Sequence, residues 1–124
     1  MMYRKARLFD DKPVADEIMS TDNVGKIKAL GRKVAGYDDV IWGGMRQVIV
    51  YNGLLEKFRQ NEALRKMLLE TGTCVLAECA VMDRIWGIGL GMHDDDRFSM
   101  GKWRGQNLLG FALMEVREQM LHRT

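Results

Sequence analysis

Four groups of residues have types and spacings that could do chemistry. Lys5 lies in "MMYRKARLF", one position from Arg4 and two from Arg7. A lysine amine works as a nucleophile or phosphate ligand when burial lowers its pKa. From the local text alone, the run reads first as a solvated basic face. Trp42, Arg46, Gly53 and Lys57 follow one another at steps of four, seven and four. Those steps hold an indole and two cations roughly on one helix face. Such a face suits an anionic ligand and snorkelling surface chains about equally. Asp83 stands beside Trp86 and Gly87 in "AVMDRIWGIGLGMHDDD". There an acid could transfer protons and an indole could stack a base, although capping of the turn by Asp83 is slightly favoured on pattern alone. Asn107 opens the last apolar stretch, where the first N–H groups of a helix favour phosphate or carboxylate. An asparagine there is more often a structural N-cap.

Other chemistries find little material. Gly87, Gly89 and Gly91 recur at every second position, which fits neither a dinucleotide fingerprint nor a P-loop. Asp94, Asp95 and Asp96 are consecutive, whereas a calcium loop of the EF-hand kind alternates its acids. They read as a solvated loop tip. His93 and His122 stand far apart, and Cys74 and Cys79 in a strand would face opposite sides. Two buried free thiols are expected, with no metal site and no cofactor.

The elements that must position these residues are mostly helical. "MMYRKARLF" is amphipathic, and Pro13 suits the first turn of a second short helix, "VADEIMS". "STDN" supplies caps for "VGKIKALGRKV", expected to end near Gly36. The longest helix begins at a cap on Asp38 or Asp39, with Ile41, Met45, Val48, Tyr51, Leu55 and Phe58 as its apolar stripe. "NEALRKMLLETG" follows, closed by Gly72. "TCVLAECA" predicts a short buried strand. A glycine-rich loop then leads to a last helix with Leu109, Leu113, Val116 and Met120 inward and Asn107 as its N-cap.

With 124 residues, 47% apolar and 29% charged, the chain reads as one globular domain over residues 1–124. A net charge of +2 from well-mixed residues gives no chain-wide footprint for nucleic acid. No apolar run approaches a membrane span and no signal-peptide core is present, so the cytoplasm is the expected location. The fold class expected is α+β, predominantly helical, with few short strands.

In order and spacing, "MMYRKARLF", "KALGRKV", Trp42, "KFRQN", "LLETG", "LAEC", "DRIWGIGL" and "GQNLLGFALMEVR" resemble the NADAR family, the YbiA-like superfamily. The resemblance covers almost the whole chain. It implies an N-glycosidase acting on a small-molecule phosphorylated riboside, such as a ribosylamino-pyrimidine intermediate of riboflavin synthesis, or on an ADP-ribosyl–guanine adduct. Lys5 then matches the lysine of the first motif helix, which would capture ribose C1 as a Schiff base or position the sugar. Trp42, Arg46 and Lys57 would line the pocket and contact the anion. Asp83 would act as acid/base or orient a hydroxyl, beside Trp86 and Gly87, and Asn107 matches the entrance to the last helix. An oxocarbenium-like sugar, a departing base and a phosphate require such groups. The family's upstream "EH" motif, whose glutamate is a leading catalytic candidate, precedes the point where this chain starts. A domain short at its N-terminus is therefore expected. The alternatives are a catalytically inactive ADP-ribose or nucleotide-binding module and a purely structural helical protein.

Overall fold

The computed structural model describes residues 1–122, and its contacts divide the chain into two compact units, Met1–Ile49 and Val50–Thr124. Among the described residues six α-helices carry the fold: α1 (Met2–Leu8), α2 (Lys12–Met19), α3 (Val24–Gly31), α4 (Asp39–Gln60), α5 (Glu62–Glu70) and α6 (Leu108–His122). Two short 3-10 turns, Asp95–Phe98 and Met100–Lys102, lie in the loop before α6. None of the six helices is long and apolar enough to cross a membrane.

In the first unit, α1, α2 and α3 close around Ala6, Ala15, Ile18, Leu30 and Val34, with Met2, Phe9, Val14 and Ile27 packed against them. Small residues let the helices approach closely. A Cβ on Gly31 would overlap the Met2 side chain, so α1 and α3 meet there at glycine distance. Asp11 is the device that ties this unit together. Its Oδ1 accepts from the Val14 N–H at 3.3 Å, capping α2, and its Oδ2 accepts from the Ala35 N–H at 2.7 Å. One carboxylate thereby fixes a helix start and the turn that leads toward α4. Asn23 caps α3 through the Lys26 N–H at 3.0 Å. The α-helical ladder of α3 ends at Gly31, short of the expected stop near Gly36. Gly36 instead has φ +71 and redirects the chain.

In the second unit, Leu68 of α5 packs with Val116 and Met120 of α6, surrounded by Tyr51, Leu54, Leu55, Phe58, Leu69, Leu76 and Leu113. Asn61 caps α5 through the Leu64 N–H at 3.1 Å, and Gly72, at φ +61, follows its C-cap Thr71. Of the expected α6 stripe, Leu113, Val116 and Met120 pack into this core, while Leu109 is half-buried outside it. Along α4 the expected stripe holds only at Tyr51, Leu55 and Phe58, because Ile41, Met45 and Val48 are exposed.

The fold is predominantly helical, and the expected strand over "TCVLAECA" is not formed: no strand occurs among the described residues. The segment has no neighbouring strand to pair with among the described residues. Its polar groups are met otherwise. The Glu78 N–H donates to Asn107 Oδ1 at 2.9 Å, the Leu76 carbonyl accepts from Asn107 Nδ2 at 2.8 Å, and the Glu78 carbonyl accepts from the Ile88 N–H at 2.9 Å. An asparagine side chain thus does what a ladder would do. Both cysteines are free, as expected, but Cys74 is exposed and Cys79 half-buried rather than both being in the core.

Candidate active site

In the first unit, the residues of chemical interest gather around Lys5. The adjacent Ala6 is fully buried and seats α1 against the core, which leaves Lys5 half-buried at its edge. The turn at Gly36 delivers Tyr37, whose ring meets Phe9 edge-on, with centroids 5.4 Å apart and planes at 69°. Asp38 caps α4 by accepting from the Ile41 N–H at 3.0 Å. The next carboxylate, Asp39, is therefore free to accept the Tyr37 hydroxyl at 2.6 Å. Trp42, one turn into α4, is 5% exposed. Lys5 Nζ lies 4.5 Å from the Tyr37 ring centroid and 5.6 Å from that of Trp42, both within cation–π range.

Burial lowers the pKa of Lys5 below the ordinary lysine value, and the Asp39 charge opposes that shift. Tyr37 moves the other way. Its hydrogen bond to Asp39 raises its pKa most, partial desolvation and the Asp39 and Asp38 charges add to the rise, and the Arg46 cation opposes it. Arg46 therefore belongs to the electrostatics of this cluster. An amine with a depressed pKa can attack an electrophilic carbon at moderate pH, while the ring faces stabilise the positive charge that follows.

In the second unit, Asp83 is half-buried and closes its own turn. Its Oδ1 accepts from the Ile85 N–H at 3.0 Å and the Trp86 N–H at 2.8 Å. Oδ2 stands outside these bonds. Trp86 is half-buried, and Gly87 is buried where any side chain would clash: a Cβ there would come 2.9 Å from the carbonyls of both Asp83 and Glu78. The carbonyls of Ile85, Trp86 and Gly87 accept from the N–H groups of Leu108, Leu109 and Asn107, at 3.1, 3.1 and 2.9 Å. This loop therefore caps the start of α6, satisfying the donors that had been expected to favour an anion.

Asn107 needs the same correction. It does not act as an N-cap through its side chain. It is fully buried at φ +52, and its carboxamide turns back to Leu76 and Glu78. Asparagine is one of the few non-glycine residues that adopt this conformation readily. These two bonds, one accepted and one donated by the carboxamide, hold the fold. Lys57 is exposed in the part of α4 that belongs to the second unit, outside the Asp83 loop network.

Sequence reasoning missed three residues. Tyr37 and Asp39 were legible only as "GYDD", an aromatic between a turn glycine and two acids competing for one cap. Arg117 gave no signal. It is 7% exposed and donates to Thr71 Oγ1 at 2.9 Å and the Cys74 carbonyl at 2.8 Å, fastening the end of α5 and the following segment to α6.

The chain is similar to several known proteins. The family model described as "NADAR domain" matches residues 1–121. An N-glycosidase of Acanthamoeba polyphaga mimivirus is 43% identical over 119 residues, covering 96% of this chain and 70% of that protein. N-glycosidase YbiA of Escherichia coli (strain K12) is 30% identical over 118 residues, or 95% of this chain and 67% of that protein. A riboflavin biosynthesis protein of Vibrio vulnificus (strain YJ016) is 30% identical over the same share of this chain and 29% of its own length. A match over nearly every residue, in the order that carries the Lys5 helix, the α4 start and the Asp83 loop, places this chain in the NADAR domain family.

Proposed function

We propose that the chain is an N-glycosidase that cleaves the bond between a heterocyclic base and the C1 of a ribose 5-phosphate unit. Hydrolysis of N-glycosidic bonds is the activity named in two of the similar proteins, and riboflavin biosynthesis is named in a third. The observation that carries the reading is Lys5, an amine with a lowered pKa lying over the faces of Tyr37 and Trp42.

In this reading the neutral Lys5 amine attacks ribose C1. The C1–N bond to the base breaks with its electron pair, and the base leaves protonated. The attached nitrogen loses one proton, and its lone pair then opens the ring C1–O bond, whose oxygen takes up a proton, to give a protonated imine. Water then adds at C1, returning the amine and releasing ribose 5-phosphate. The two ring faces stabilise the cationic imine. Arg46 and Lys57 are assigned to anion contacts and Trp86 to stacking on the base. Asp83 Oδ2, outside the bonds of its turn, suits the acid/base role that the family motif gives to it. We place the activity in the cytoplasm, where an exposed free cysteine such as Cys74 stays reduced.

The test is release of ribose 5-phosphate from a 5-phosphoribosylamino-pyrimidine and, in parallel, of ADP-ribose from an ADP-ribosyl–guanine oligonucleotide. Borohydride trapping of the Lys5 imine is followed by mass spectrometry. Release from the first substrate with label on Lys5 is expected, and Lys5→Ala should lower the rate by about a hundredfold or more. A fully active Lys5→Ala variant removes the amine from the reaction. Release only from the second substrate moves the substrate class, and release from neither overturns the reading.

A further inference from the structure

We propose that Tyr37 is a positioning residue for Lys5: its ring face carries the amine, and its hydroxyl, tied to Asp39, holds the ring in place. Four features converge on this one side chain. Gly36, at φ +71, sets the angle at which the chain enters. Phe9 meets the ring edge-on at 5.4 Å. Asp39 Oδ1 accepts the hydroxyl at 2.6 Å, which anchors the far end of the side chain. Asp38 takes the helix cap and so leaves Asp39 available. Tyr37 is nonetheless 43% exposed, so core packing does not account for these restraints.

The arrangement acts on Lys5 in two ways. The ring covers Nζ from water at 4.5 Å, which favours the neutral amine, yet its negative face still accommodates the cation once charge forms. The hydroxyl also occupies Asp39, a carboxylate that would otherwise be free to pair with Lys5 and hold it as an ammonium. The charged groups concerned are Asp39, Asp38 and Arg46 on or before α4, and Arg4 and Arg7 flanking Lys5 on α1. Tyr37 thus acts through Lys5 and needs no contact with substrate.

This deepens the reading of Lys5 as the reactive amine, and its test needs no substrate. The pH dependence of Lys5 acylation by a small amine reagent is measured in the full chain by mass spectrometry, with circular dichroism as the check on folding. Tyr37→Ala hydrates the amine and releases Asp39, so the labelling midpoint should rise by about half a pH unit or more, a roughly threefold slower reaction below the midpoint. Tyr37→Phe keeps the ring and loses only the Asp39 bond, so its rise should be smaller. Asp39→Asn removes the opposing charge and should lower the midpoint.

A folded Tyr37→Ala protein with an unmoved or lowered midpoint overturns the proposal, as do equal shifts in Tyr37→Ala and Tyr37→Phe. If Tyr37→Ala does not fold, opposite shifts in Tyr37→Phe and Asp39→Asn support it, and no shift in either overturns it. The expected shifts in the variants, together with no turnover by the wild-type protein, count against the glycosidase reading alone.

Discussion

The Asn107 carboxamide occupies the space that a side chain on Gly110 would need. A Cβ at Gly110 would overlap both ends of that amide and the Leu76 carbonyl. The buried amide thereby reaches Leu76 and Glu78 across the first turn of α6. Gly110→Ala should therefore destabilise the protein by about 1–3 kcal/mol, the usual cost of overpacking. Asn107→Ala gives up two buried hydrogen bonds and places alanine at φ +52, so its cost should reach about 2–4 kcal/mol. Urea unfolding of both variants checks the pair. Because both act on one contact, the double variant should cost less than the sum of the singles.

Asp83 supports its turn through one oxygen only, which allows its structural and chemical roles to be separated. Asp83→Asn keeps an oxygen to accept from Ile85 and Trp86, so its stability should stay within about 0.5 kcal/mol of wild type. Asp83→Ala loses both bonds and should cost about 1–2 kcal/mol. In the glycosidase assay, Asp83→Asn should lower turnover by about a hundredfold or more if the residue transfers a proton. Equal turnover in Asp83→Asn and wild type, with Asp83→Ala unstable, assigns the residue to the turn alone.

Tyr37 gives a pH prediction with a definite sign. Its phenol donates to Asp39, so ionisation costs that bond and sets two anions side by side, and the folded pKa rises above 10.0. The stability contributed by this phenol is fully present below pH 10 and is lost as pH rises through the folded pKa, because the unfolded chain releases the proton first. In phenolate absorbance, the difference between wild type and Tyr37→Phe should titrate above 10. Asp39→Asn should bring that midpoint down. A Tyr37 midpoint at or below the ordinary value would show that the Asp39 bond does not persist in solution.

The caps made much of the fold legible. Pro13 marks the first turn of α2, a cap within "STDN" marks the start of α3, and a stripe at three- and four-residue steps marks the inner face of α6. Where the sequence misled, the deciding contacts were distant. "TCVLAECA" has strand composition, but a strand needs a neighbour, and its polar groups find Asn107 and Ile88 instead. Lys5 could not be told from an ordinary surface lysine because its cover comes from Tyr37 and Trp42, remote in the chain. Asp39 was visible as an acid near a helix start, but its use depended on Asp38 taking the cap.

The carbonyls of Ile85, Trp86 and Gly87 that receive the first amides of α6 also link two segments kinetically. Amides that a helix leaves unbonded at its start usually exchange with solvent rapidly, because nothing but water meets them. Here the N–H groups of Asn107, Leu108 and Leu109 are bonded to a loop some twenty residues earlier in sequence. Their exchange requires that loop to come away, so it reports the opening of the Asp83 turn rather than fraying of the helix. The stretch that presents Asp83 and Trp86 and the first turn of α6 should thus gain and lose protection together, as one opening unit.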